Sequence, residues 1–170
     1  MFDRQLIIEA KDTLDRLQDS GLVLATAESC TGGLIAGLLT SIAGSSDAFD
    51  RGFVTYSNAA KAEMLGISPS LIEQHGAVSE QVAREMAECA LKRSHANVAV
   101  SVTGIAGPGG GSPGKPVGLV HFGCARIEMK THHVRMNYGN VGRDEVRMAA
   151  VGTALAMVRQ SIDGSGGMLA

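Results

Sequence analysis

Tryptophan is absent from the 170-residue chain, and aromatic residues make up only 4% of it. Base and sugar stacking draw on aromatic faces, so ligands held mainly by stacking are poor candidates. Charge is scarce as well: Asp, Glu, Lys and Arg total 19%, with a formal net charge of −2. That balance lacks the basic surplus of a nucleic-acid binder. The 45% hydrophobic content is also too high for a disordered chain. Long apolar runs are missing, and stretches such as Leu34 to Leu39 are far too short to span a bilayer. Cysteine is limited to Cys30, Cys89 and Cys124, without a CxxC pair. The five His, at 75, 95, 121, 132 and 133, form no HExxH. Neither a disulfide scaffold nor a metal site is expected from such spacing. The opening MFDRQLIIEAKD carries acids and no small-residue cleavage site, which predicts a cytoplasmic protein without a signal peptide.

What the chain has in excess is glycine, 22 of 170 residues, nearly twice the usual share. Length argues for one domain, taken as residues 1–162 with a flexible Gly/Ser tail at 163–170. Apolar residues at helical spacing over 3–19 predict an amphipathic helix closed by Gly21. LVLAT (22–26) reads as a buried strand, AESCTGG as a turn, and LIAGLLTSI as a helix. RGFVTY is a strand, Asn58 an N-cap for a short helix ending at Gly66, and Ser68-Pro69 the start of another. Ser79 caps the clearest helix, EQVAREMAECALKR, and the strand NVAVSV follows it. VGLVHFGCA and HHVRMNY are strands in close succession, and a helix over GNVGRDEVRMAAVGTALAMV completes the order. Alternating strands and helices predict an α/β layered fold, with a mostly parallel sheet, an antiparallel edge and flanking helices.

Residues 104–123 hold eight of the glycines and three of the four prolines. The loop includes a literal GxGxxG (Gly109, Gly111, Gly114) and a near Walker A at Gly109, Gly114 and Lys115, with Pro116 where Ser or Thr is needed. Both motifs require a helix immediately afterwards, and here a strand follows, so dinucleotide-fold and P-loop readings are rejected. Ser29-Cys30-Thr31-Gly32-Gly33 lies between strand and helix, where free N–H groups could meet a phosphate, or where Ser or Thr simply caps the helix. Glu28 beside it is either a capping acid or a substrate acceptor. Cys30 at a helix start is expected to have a lowered pKa, making it a second possible nucleophile. Ser45 and Ser46 sit in a GSSD break, and Lys61 lies fifteen positions beyond Ser46 on an alanine-flanked helix. A desolvated lysine loses its charge readily, and Ser plus neutral Lys is a known nucleophile arrangement. Arg143 and Arg147, one turn apart, could share one anionic group, or be ordinary solvated helix charges.

TAESCTGG, the GSS turn, GFVTYSNAAKAEMLGI, HGAVSEQVA and SVTGIAGPGGGSPGKPVG together resemble the CinA C-terminal domain, the nicotinamide-nucleotide amidase family, from about Leu6 to Val158. The resemblance implies hydrolysis of the carboxamide of nicotinamide mononucleotide, without metal or cofactor. It maps the family's serine and lysine onto Ser46 and Lys61. Ser29, Tyr56, Asn58, Thr103 and, most loosely, Arg143 fall on positions lining the family's pocket.

On this mapping Ser46 attacks, Lys61 takes its proton, and N–H groups near Ser45–Asp47 hold the oxyanion. Tyr56 assists by bonding Lys61 or the leaving amide. The phosphate lies on the loop after Thr103 and Gly104, or at Thr31, Gly32 and Gly33, with Arg143 closing over it. Alternatives are a nucleophile at Ser29 or Cys30, and a non-catalytic nucleotide-binding module. The expected partner is a small nucleotide, not a nucleic acid or membrane. Apolar helix faces such as Leu34 to Leu39 suggest a homo-oligomer.

Overall fold

Val98, Val100 and Val102 alternate with Ala99 and Ser101, a period of two that gives each side of the central strand its own partners. The computed structural model describes residues 2–164. Its five strands are β1 (Leu24–Glu28), β2 (Phe49–Val54), β3 (Val98–Gly104), β4 (Leu119–Arg126) and β5 (His132–Asn137). They pair in the order β2-β1-β3-β4-β5, with β1 parallel to both β2 and β3. β4 pairs antiparallel with β3 and with β5. Four of the five strands therefore run in one direction and β4 alone opposes them, the mixed sheet that alternation and the two adjacent strands predict.

Helices α1 (Arg4–Asp19), α2 (Leu34–Thr40) and α6 (Arg143–Ile162) cover the valine side of the sheet. Leu14, Leu17, Ile35, Leu38, Val151 and Leu155 meet Val98, Val100, Val102 and Phe122 there. Each such side chain, once fully buried, contributes roughly 1.5–3 kcal/mol. The other side carries Ala25, Ala27 and Ala99 under α3 (Asn58–Leu65), α4 (Pro69–His75) and α5 (Glu80–Lys92), through Leu65, Ile72, Val82 and Met86. Small residues on this face let α5 lie close. A Cβ at Gly123 would run into the Ala83 carbonyl oxygen.

Burial of Ile35, Leu38 and Leu39 within the chain's own core removes the apolar α2 face offered above as an oligomer contact. The cap of α3 is Ser57, whose Oγ accepts the Ala60 N–H at 3.0 Å, so Asn58 is the first helical residue rather than the cap. Residues 163–164 form a turn after α6, and the rest of the predicted tail lies outside the described residues. No described helix is long and apolar enough to cross a membrane.

Between α5 and the antiparallel strands sits a histidine pair. His121 Nδ1 and His133 Nε2 are 3.0 Å apart with stacked rings, and Glu80 Oε2 lies 3.6 Å from His133 Nδ1. Burial pushes His121 down to about 4, helped by His133, Arg135 and Lys115, and burial lowers His133 as well. An unfolded histidine binds its proton near 6.5, so acidification favours the unfolded chain. The stability these residues contribute is complete above that pH and is lost as pH falls towards about 4. The expected loss is roughly 2–3 kcal/mol, read from urea unfolding between pH 7 and 4. His121→Gln, which keeps a hydrogen-bonding group but takes no proton, flattens that dependence.

Candidate active site

β1 ends in Glu28, a fully buried acid. Its carboxylate accepts the N–H groups of Gly33 at 3.0 Å, Ile35 at 3.1 Å and Ala36 at 2.9 Å, and the Thr26 hydroxyl at 3.3 Å. It therefore caps α2 from below, because Gly33 at the N-cap position has no side chain to do so. The capping role holds, and neither Ser29 nor Thr31 caps the helix. Between Glu28 and α2 the chain makes a tight turn. Gly32 N–H donates to Ser29 O at 3.0 Å, and Gly32 and Gly33 adopt φ of +61° and +93°, which glycine accepts without strain.

This arrangement overturns the predicted anion station at Thr31, Gly32 and Gly33. The N–H groups of Gly32 and Gly33 are already satisfied within the protein, and Thr31 is fully buried. The turn instead presents Ser29, at the carboxyl end of β1, to Lys61.

Lys61 lies on α3 but turns inward, with 1% of its surface exposed. Its Nζ is 3.0 Å from Ser29 Oγ and 2.9 Å from Thr55 O, the carbonyl just past β2. Burial lowers the lysine pKa from its ordinary 10.5. The one nearby group that could hold the ammonium charged is the Cys30 thiolate. Burial, however, pushes the Cys30 thiol up to about 11, and at neutral pH it carries no charge. That reverses the lowered thiol pKa expected from its place before a helix. Desolvation outweighs the helix terminus here.

Ser46 is elsewhere. The exposed turn Ser45–Asp47 precedes β2, and Leu24 N–H at the start of β1 donates to Ala48 O beside it. Ser29 and Lys61 lie past the opposite ends of those strands, about 15 Å away at the usual rise per residue. The N–H groups of Ser45, Asp47 and Ala48 are spent on Ile42 O, Gly44 O and Ser45 O. The predicted Ser46–Lys61 pair and the oxyanion donors near Ser45 are therefore not assembled.

The remaining predicted residues converge on a cleft of about 300 Å³ at the carboxyl ends of β1, β2 and β3. This is where connections leave to opposite faces of the sheet, the usual ligand position in such folds. Ser29, Lys61, Tyr56, Asn58, Thr103, Gly104 and Arg143 all line it. Thr103 Oγ1 donates to Ala77 O at 2.8 Å and so braces the opposite wall. Tyr56 does not reach Lys61. Its hydroxyl accepts from Arg143 Nη2 at 2.8 Å, while Arg143 Nη1 donates to Gly107 O at 2.8 Å. Arg143 thus spans the cleft mouth from α6 to the glycine-rich loop. In that loop the N–H groups of Gly107, Gly109 and Gly110 meet no acceptor among the described residues. No group of three or more His, Cys, Asp or Glu is arranged for a metal among the described residues.

The model of the CinA C-terminal domain family matches residues 8–162. The nicotinamide-nucleotide amidohydrolase PncC of Enterobacter agglomerans is 56% identical over 134 residues, covering 79% of this chain and 81% of its own length. A longer CinA-like protein of Syntrophobacter fumaroxidans is 49% identical over 144 residues, which are 85% of this chain and 34% of that protein. The crystal structure of the competence/damage inducible protein CihA from Agrobacterium tumefaciens superposes with a TM-score of 0.92 at 52% identity, covering 96% of this chain and 98% of that one.

Glu28 is the polar group on which the Ser29 turn rests. Hydrogen bonds to a charged group are worth about 1.5–3 kcal/mol each, and Glu28→Gln turns an NH2 group towards N–H donors. Urea unfolding of Glu28→Gln is expected to show a loss of roughly 2–4 kcal/mol.

Proposed function

The chain belongs to the CinA C-terminal domain family, and from that premise we propose that it hydrolyses the carboxamide of nicotinamide mononucleotide to nicotinate mononucleotide and ammonia. The observation that carries the reading is the buried Lys61 Nζ at 3.0 Å from Ser29 Oγ, opening onto a polar cleft. The name of the Enterobacter agglomerans relative supports the substrate class.

Neutral Lys61 accepts the Ser29 proton as Oγ attacks the carboxamide carbon, forming a C–O bond and moving the carbonyl electrons onto oxygen. The Cys30 N–H, adjacent to the nucleophile and given to no other backbone group among the described residues, is the donor nearest in the chain to the developing oxyanion. Lys61 then returns the proton to the amide nitrogen, the C–N bond breaks, and ammonia leaves. Water, deprotonated by the same amine, attacks the Ser29 ester; Lys61 returns that proton to Ser29 Oγ as the C–O bond breaks, and the carboxylic acid is released. Recognition falls to groups suited to a small polar nucleotide. The open N–H groups of Gly107, Gly109 and Gly110, with Arg143, suit the phosphate, and Asn58 and Thr103 flank the remainder.

The decisive measurement is ammonia release from nicotinamide mononucleotide. Ser29→Ala and Lys61→Met abolish it, whereas Ser46→Ala, outside the cleft, retains it. Loss of activity in Ser46→Ala with retention in Ser29→Ala overturns the assignment. Binding of the nucleotide without ammonia release by the unaltered protein leaves the non-catalytic alternative. In the active protein, kcat/KM rises with pH as Lys61 loses its proton, and this limb lies below the ordinary lysine value of 10.5.

A further inference from the structure

Arg147 lies one turn beyond Arg143 on α6, and its side chain reaches the turn after β1 instead of Tyr56 and Gly107. Its Nε donates to Cys30 O at 3.2 Å and its Nη2 to Thr31 O at 3.1 Å. The two arginines therefore do not share one anion. The guanidinium packs against the turn itself: a Cβ placed on Gly32 would lie 3.6 Å from Nη2. The third nitrogen, Nη1, is 3.5 Å from Asp144 Oδ1, whose side chain is 81% exposed. An exposed pair of that kind is weak, so the two carbonyls rather than Asp144 hold the guanidinium in place.

The geometry of the peptide unit turns this grip into control of Ser29. In a trans peptide the C=O and the following N–H lie in one plane and point in opposite directions. Fixing Thr31 O fixes Gly32 N–H, and that N–H is the one that closes the turn onto Ser29 O at 3.0 Å. Fixing Cys30 O sets the neighbouring plane. Glu28 holds the far end of the same turn from below, through Gly33, Ile35 and Ala36. A cation on the carbonyls and an anion on the N–H groups thus clamp residues 30–36 from two sides. The planar fork of arginine reaches two carbonyls together, whereas the single ammonium of lysine does not reproduce that geometry.

We propose that Arg147 is a positioning residue for the nucleophile, its guanidinium holding the two peptide planes that aim Ser29 Oγ at Lys61 and at the substrate carbonyl. This rests on the reading of Ser29 as the attacking group. The role is distinct from substrate binding, because both assigned donors of Arg147 are engaged by backbone, and Arg147 does not line the cleft.

The test is steady-state ammonia release by full-length Arg147→Met and Arg147→Lys, with rates normalised to the folded fraction by circular dichroism. Misplacement of a reacting group by about 1 Å costs on the order of 100-fold, so Arg147→Met should lose roughly 30- to 100-fold in kcat with KM held within about threefold. Arg147→Lys should recover part of that loss, and millimolar guanidinium added to Arg147→Met should restore some of the rate. Wild-type kcat in folded Arg147→Met overturns the proposal, and so does a rise in KM at unchanged kcat, which would make Arg147 a substrate contact. Should Arg147→Met fail to fold, Arg147→Lys decides alone: a lowered kcat at unchanged KM supports the proposal, and an unchanged kcat sinks it. Ser29→Ala separates the two readings. If it is inactive while Arg147→Met is fully active, only the positioning role falls. If Ser29→Ala keeps its activity, the nucleophile assignment falls first.

Discussion

Lys61 is held out of water between a serine hydroxyl and a backbone carbonyl, and the rest of the cleft is arranged around that contact. An amine on a flexible four-carbon stem would ordinarily seek solvent and remain charged. Here α3 starts directly after the Thr55 carbonyl and its Ser57 cap, so the side chain has only the interior to enter. Two hydrogen-bond partners await it there, and no charged acid is among them. Burial without a counter-charge lowers the pKa of the amine, and the same packing sets the Ser29 hydroxyl against it.

That contact depends on where Ser29 is held, and the turn around it is fixed by hydrogen bonds to its backbone. β1 delivers Ser29 at its carboxyl end, flanked by β2 and β3 in parallel register. Glu28 spends a buried carboxylate on the first N–H groups of α2, so the helix terminus is occupied by the protein itself. Open N–H groups lie instead on the glycine-rich loop, with Arg143 across the mouth. The abundance of glycine thereby serves two ends, a left-handed turn behind Ser29 and bare backbone along the cleft.

Much of this was legible in the chain. The strand NVAVSV, the Ser79 cap and the strand after Lys115 all predict elements that form, and the last of them excludes the dinucleotide and P-loop readings. A lowered pKa for Lys61 is expected of a desolvated lysine, and its burial against Ser29 and Thr55 is what lowers it. Its partner does not: Ser46 and Ser29 are both hydroxyls in Gly/Ser turns, and sequence distance favours Ser46. Which of them meets Lys61 depends on strand direction. Parallel pairing sends the GSSD turn to the end of the sheet that receives the amino end of β1, away from the cleft. The Cys30 thiol is raised instead of lowered for a related reason, since proximity to a helix start is visible in sequence but the depth of burial is not.

The sequence alone determined the layered α/β plan, the absence of stacking surfaces and the glycine-rich loop. These are properties of local pattern and composition, which act over a few residues. Tertiary structure decided which serine faces Lys61, that Glu28 caps α2, and that Arg143 and Arg147 reach different partners. Each of those outcomes joins residues from separate elements, and only the register of the strands and the packing of helices on their two faces sets such distances.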